Sequence, residues 1–231
     1  MTFARYLVLV GTVALIAVID GSLGQHSLAG PLEKDKRVAA TPSRYEPELL
    51  PLPTTRKLSE VEKTYLDTYN ILKQDNSCSQ FFGGPQAIEA LNQLMQQIRP
   101  AILDRNIGMR MMGGTTSVLM YSTGFRYRLF GKAEVNINGP FFQGNGFAGT
   151  QTISSIGAFL PNTREARVTL LLHELGHLIQ KSDDQWVLPN DGNNPGRSEE
   201  NTERVIQACG KQIRELHQFN FEEELQGQLK A

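Results

Sequence analysis

His173 and His177 stand four residues apart in the run Leu171-Leu172-His173-Glu174-Leu175-Gly176-His177-Leu178-Ile179. On an α-helix that spacing stacks the two imidazoles on one face, where their ring nitrogens can reach a single metal ion. Glu174 directly follows the first histidine. Its carboxylate can lean over the same site and take a proton from a metal-bound water, whose pKa zinc lowers to about 7. The surroundings suit a buried helix: Leu170, Leu171, Leu172, Leu175, Leu178 and Ile179 are apolar, and Glu174 is the one charge between Arg167 and Lys181. A carboxylate on so apolar a helix is costly to bury unless it is paired or lies beside a metal. The plainer reading, polar residues decorating a partly exposed helix, fits that context poorly.

A catalytic zinc takes three protein ligands and keeps a fourth position for water, so two histidines are not enough. The other histidines are His26, in a proline-rich stretch, and His217, near the end of the chain's last helical pattern. A carboxylate is therefore expected, and three placements compete. Asp183 lies six residues after His177, Asp191 belongs to the turn-forming run Leu188-Pro189-Asn190-Asp191-Gly192, and Glu199 and Glu200 open a later helix. Ordinary roles exist for all of them, since Asp-Gly favours turns and glutamates in a first helical turn are favoured by the helix dipole alone.

The His-Glu-x-x-His segment resembles the zincin metallopeptidases. In metzincins a third histidine or aspartate occupies the position of Asp183, but Gln180 stands here in place of their glycine and no methionine follows Met120 to form their methionine turn. In gluzincins a glutamate on the next helix completes the site, which points to Glu199 or Glu200, with Glu203 four residues on. The set His173–His177, Asp191-Gly192, Ser198, Asn201-Thr202, Val205 and Cys209, reaching back to Cys78-Ser79-Gln80-Phe81-Phe82-Gly83, resembles exported bacterial proteins of zincin type and favours Asp191. The resemblance implies a zincin-like fold, one zinc ion held by His173, His177 and Asp191, Glu174 as the catalytic base, and a sheet edge that pairs with an extended peptide substrate. Ala133–Asn138 and Thr152–Ile156 are the candidates for that edge. No residue is assigned to stabilise the oxyanion, His217 being the one candidate, and Trp186 either lines the cleft or packs internally.

The elements that must position these residues follow from periodicity and end signals. A helix is expected from about Thr163 to about Lys181, with Asn162 as N-cap and Glu165 reaching back as in a capping box. Ser59 and Glu62 form a second capping-box pattern ahead of Val61, Tyr65, Tyr69 and Leu72, and Gln86–Ile98 carries Ile88, Leu91, Met95 and Ile98 on one helical face. A last helix, N-capped by Ser198, shows the stripe Val205, Cys209, Ile213 and Leu216. Between them Ser117–Tyr121, Phe125–Phe130, Ala133–Asn138 and Thr152–Ile156 read as strands, with Gly131-Lys132 and Gly139-Pro140 as turns. These elements define an α+β domain over 57–218, in which a small mixed or antiparallel sheet packs on the helix bearing His173 and His177, with a second, C-terminal helix behind it.

The 231 residues carry 23 basic and 24 acidic side chains, and this balance, without any long basic run, gives no support for a nucleic-acid partner. After Arg5, the uncharged apolar stretch Tyr6–Ile19 and the small residues of Ser22-Leu23-Gly24 read as a signal peptide over 1–24. A retained anchor is the alternative, but a membrane span needs about 20 residues. Residues 25–56, with five prolines, read as a linker or pro-segment and 219–231 as a tail. Cys78 and Cys209 are the two cysteines, and an even pair in an exported chain predicts a disulfide in preference to two buried thiols. The expectation is thus a secreted or periplasmic zinc hydrolase acting on a peptide or protein, free of the membrane after signal removal. The competing reading is a non-catalytic zincin-fold binding protein with a structural metal. Oligomeric state is not legible.

Overall fold

Ser59 starts the first helix, α1 (Glu60–Leu72), through the expected reciprocal cap: its hydroxyl accepts from Glu62 N–H at 3.3 Å while Glu62 accepts from Ser59 N–H at 2.7 Å. The computed structural model describes residues 47–144, 152–181, 185–192 and 194–218, without the side chains of the last two. The expected signal peptide, most of the proline-rich segment and the 219–231 tail lie outside the described residues. The described end of the proline-rich segment belongs to the folded body. Leu49, Leu50 and Leu52 pack against the core, Tyr65 accepts from Leu50 N–H at 2.8 Å and donates to Asn92 at 2.8 Å, and Asn92 donates to the Glu48 carbonyl at 2.9 Å.

After α1 come α2 (Ser77–Phe81) and α3 (Ala87–Gln97), which runs without a loop into strand β1 (Ile98–Ala101). Pro100, lacking an N–H, sits on β1 where a flanking strand tolerates it. Strands β2 (Met109–Met120) and β3 (Phe125–Asn136) form a long antiparallel hairpin, β1 lies parallel to the last residues of β3, and the two-residue β4 (Ile179–Gln180) pairs with its first residues. Helix α4 (Arg164–Leu178) leads directly into β4, and α5 (Pro195–Arg214) follows, closed by the short 3-10 turn Glu215–Gln218. The described residues therefore form a mixed α+β architecture with a small mixed sheet and five α-helices.

Several expectations are corrected. Gly131-Lys132 is no turn: β3 passes straight through, and the irregularity falls on β2, where Gly113 and Gly114 form a bulge opposite Gly131, with Gly113 at φ +86°. Ala133–Asn138 cannot be a sheet edge, because its residues through Asn136 are flanked by β1 and β2. Thr152–Ile156 is outside the sheet, contributing only an isolated bridge from Ile156 to Phe159. The free long edge among the described residues is β2. Thr163, not Asn162, caps α4, accepting from Ala166 N–H at 3.2 Å, while Asn162 takes a left-handed conformation at φ 62° that asparagine tolerates. Asn194 rather than Ser198 caps α5, with Pro195 in its first turn.

Helix α4 is enclosed by its neighbours. Val168, Leu171, Leu172, Leu175 and Leu178 are each no more than 1% exposed, packed in one core with Tyr65 and Leu72 of α1, Leu91 and Leu94 of α3 and Val205 and Ile213 of α5. An apolar helix surrounded on all sides is held in position by packing. Two further braces fix its start and its partner. Arg164 grips the buried Asp67 carboxylate of α1 at 2.7 and 2.5 Å and donates to the Leu216 carbonyl at 2.7 Å. The Cys78–Cys209 disulfide joins α2 to the middle of α5 across 131 positions of sequence, and Ser77 donates to the Ala208 carbonyl beside it at 2.7 Å.

Candidate metal centre

Helical spacing places His173 and His177 on one face of α4, with their ring centroids 4.9 Å apart and side chains almost wholly buried. The third group arrives by a fold-back. After β4 the chain reverses: Gln180 bridges Trp186, Val187 N–H donates to the Ile179 carbonyl at 2.9 Å, and Leu188 N–H donates to the Gly176 carbonyl at 3.0 Å. The return strand crosses α4 at Gly176, where a Cβ would lie 2.5 Å from Leu188 Cγ. Gly176 is thus the residue that lets the loop lie against the helix, and three residues after Leu188 the loop delivers Asp191 to the histidines.

The three ligand atoms converge. His173 Nε2 lies 2.9 Å from Asp191 Oδ2, His177 Nε2 lies 3.1 Å from His173 Nε2, and His177 Nε2 lies 3.5 Å from the same carboxylate oxygen. Four-coordinate ligand atoms with bonds near 2.1 Å stand about 3.4 Å apart; the 3.5 Å separation matches that spacing and the other two are shorter, at hydrogen-bond length.

Helix α5 and the loop set the orientation of each ligand. Thr202 donates its hydroxyl hydrogen to the Ser198 carbonyl at 2.9 Å, so toward His173 Nδ1, 3.0 Å away, it is an acceptor and Nδ1 carries the proton. His177 Nδ1 lies 3.4 Å from the Leu188 carbonyl, which can only accept. Both neutral imidazoles therefore turn the Nε2 lone pair inward, the tautomer a metal ligand needs. Asn201 donates to the other oxygen of Asp191 and, at 2.9 Å, to the Pro189 carbonyl.

Two nitrogen lone pairs and a carboxylate oxygen pointed at one another repel unless a proton or a cation lies between them. For Asp191, burial would raise the carboxyl, but hydrogen bonds and charge from His173 and His177 hold it far below the usual carboxylate range. For His177, burial lowers the imidazole, and the hydrogen bond to Asp191 with the charges of Glu174 and Asp191 more than reverses it, leaving it raised.

His173, His177 and Asp191 are the group among the described residues that could hold a metal ion. The alternative carboxylates Glu199 and Glu200 are exposed in the first turns of α5 and stand outside it. Asp183 lies outside the described residues, as does the His217 side chain. Glu174 is half-buried and, among the described residues, forms no hydrogen bond or ion pair. The Trp186 ring stacks beneath Arg128 of β3, 3.8 Å from the guanidinium carbon. Sequence reasoning missed Gly176 as a crossing point and the separate tasks of Asn201 and Thr202, although both lay in the quoted pattern. An adjacent Asn-Thr pair on a helix facing a buried histidine was the available signal. Comparison of the chain with models of protein families, with characterised proteins and with solved structures finds no significant match.

Proposed function

We propose that this chain is a zincin-like, zinc-dependent hydrolase that acts on peptide or protein substrates, exported to an oxidising compartment. The observation that carries the reading is the convergence of His173 Nε2, His177 Nε2 and Asp191 Oδ2, with Thr202 and Leu188 presetting the histidine tautomers. Two imidazoles and one carboxylate are a donor set that suits zinc and leaves a tetrahedral position open. When bound, the metal supplies a Lewis acid that polarises a carbonyl and makes water more acidic.

The chain's own residues do the rest. Asp191 and the two histidines hold the ion, and Asn201 and Thr202 keep those ligands from turning away. Glu174, next to His173 and engaged in no hydrogen bond or ion pair among the described residues, accepts the proton of the attacking water and passes it to the leaving nitrogen. A purely structural metal is usually closed by four protein ligands and has no use for a carboxylate beside the first histidine, which weighs against a non-catalytic scaffold. Export is supported by the Cys78–Cys209 disulfide, and no helix of the described residues is long and apolar enough to cross a membrane.

The test is Glu174→Gln. The variant keeps its zinc, measured by metal analysis of the purified protein, and loses about 100-fold or more of its peptide hydrolysis. Equal turnover in both proteins would sink the hydrolase reading.

A further inference from the structure

Arg128 carries five N–H donors, and among the described residues its one hydrogen bond is Nε to the His177 carbonyl at 2.9 Å. Nη2 is shut off from solvent and meets no acceptor. Removing a guanidinium from water without a counter-ion is unfavourable. The negative end of the α4 dipole offsets part of that cost through the His177 carbonyl, but supplies no full charge. Glu134, six residues further along the same face of β3, is engaged by Arg110 at 2.8 Å and by Lys132.

The side chain is held as though for a partner. Trp186 stacks on its plane at 3.8 Å, the Phe130 ring lies 5.1 Å from the same carbon, and the His177 carbonyl fixes one edge. A guanidinium fixed in this way and short of acceptors suits a carboxylate, which can take the N–H bonds of Nη1, the nitrogen that is neither bonded nor shut off from solvent. Its anchor is the main chain of His177, one of the three residues of the candidate metal centre, which ties its position to that site.

We propose that Arg128 is the specificity residue for a carboxylate of the peptide substrate, borne either by the chain terminus or by an acidic side chain near the scissile bond. This rests on the hydrolase reading of the metal centre. Trp186 is the chain's only tryptophan, so its fluorescence reports on Arg128 directly and without turnover.

The experiment titrates the zinc-loaded full chain with three probes: N-acetyl-trialanine as the free acid, its C-terminal amide, and the amide with glutamate at the middle position. Cleavage of each is followed in parallel. The expected result is at least tenfold tighter binding of one or both anionic peptides than of the neutral amide, and which of them is preferred identifies the source of the carboxylate. Arg128→Gln brings the anionic peptides to the neutral level, while Arg128→Lys, which keeps charge but not the planar fork, falls between. If Arg128→Gln fails to fold, the lysine variant and the acid-to-amide ratio of the unaltered chain decide. Equal affinity for all three peptides, or a preference that survives Arg128→Gln, overturns the proposal. A preference without cleavage of any peptide would sink the hydrolase reading alone, and cleavage without preference would sink the subsite alone.

Discussion

The α4–α5 pair and the outer half of the β2–β3 hairpin are opposite solutions to holding a chain in place. Around the helical pair Asp191 is met by Asn201, His173 by Thr202 and Arg164 by Asp67 of α1, and the disulfide from α2 secures α5. In the hairpin, Gly113–Ser117 are exposed, Leu119 is 37% exposed and Tyr121 is 92% exposed. One face of the hairpin is free while the other rests on the core through Val118, Met120, Tyr127 and Leu129 and β4 pairs with its end, whereas a buried helix gripped from several sides tolerates almost no adjustment. The candidate metal centre lies where the chain has the least freedom, which suits ligands that must hold their positions before an ion arrives.

That contrast can be broken from its strongest point downward. Replacing Cys209 with serine removes a cross-link over 131 positions and is expected to cost about 5 kcal/mol in the chain-entropy model, seen as a large fall in the denaturation midpoint. A loss under about 1 kcal/mol would show that packing alone secures α5. Gly176→Ala comes next. The new methyl meets Leu188, itself fully buried, and the expected cost is about 1–3 kcal/mol together with weaker zinc retention, because the displaced loop carries Asp191. Unchanged zinc affinity in a folded Gly176→Ala protein would detach the crossing from the site.

Thr202→Val removes the acceptor at His173 Nδ1 and is expected to weaken zinc binding about 10–100-fold, with Thr202→Ser restoring it. If valine and serine behave alike, the hydroxyl is not what sets the ligand. At the other pole, Leu119→Thr on the hairpin is expected to shift stability by no more than about 0.5 kcal/mol and to leave zinc affinity unchanged. A larger effect on either would mean that the ribbon is coupled to the helical pair.

Local rules carried the sequence reading a long way and then stopped at identifiable places. The Ser59–Glu62 cap, the α3 stripe, the buried stripe of α5 and the cysteine pair are visible because each depends on residues close in sequence, or on a count. The first half of β2 was hidden because Met109–Gly114 has neither β-branching nor a clear alternation, and it is a strand through its pairing with Lys132–Val135. Gly131 suggested a turn because glycine usually punctuates; here it faces the bulge on the opposite strand. That Asp191 meets the histidines, while Glu199 and Glu200 face outward, depends on the crossing at Gly176. No local pattern encodes such a contact.

The fold-back at Gly176 also bears on the order in which the chain assembles. All three converging atoms and both residues that orient them lie between positions 173 and 202, so the centre closes through short loops, at little entropic cost and with low contact order. A nascent chain that ends before Asn201 would own both histidines and the aspartate without the helix that aligns them. Metal capture would then mark the docking of α5 onto α4.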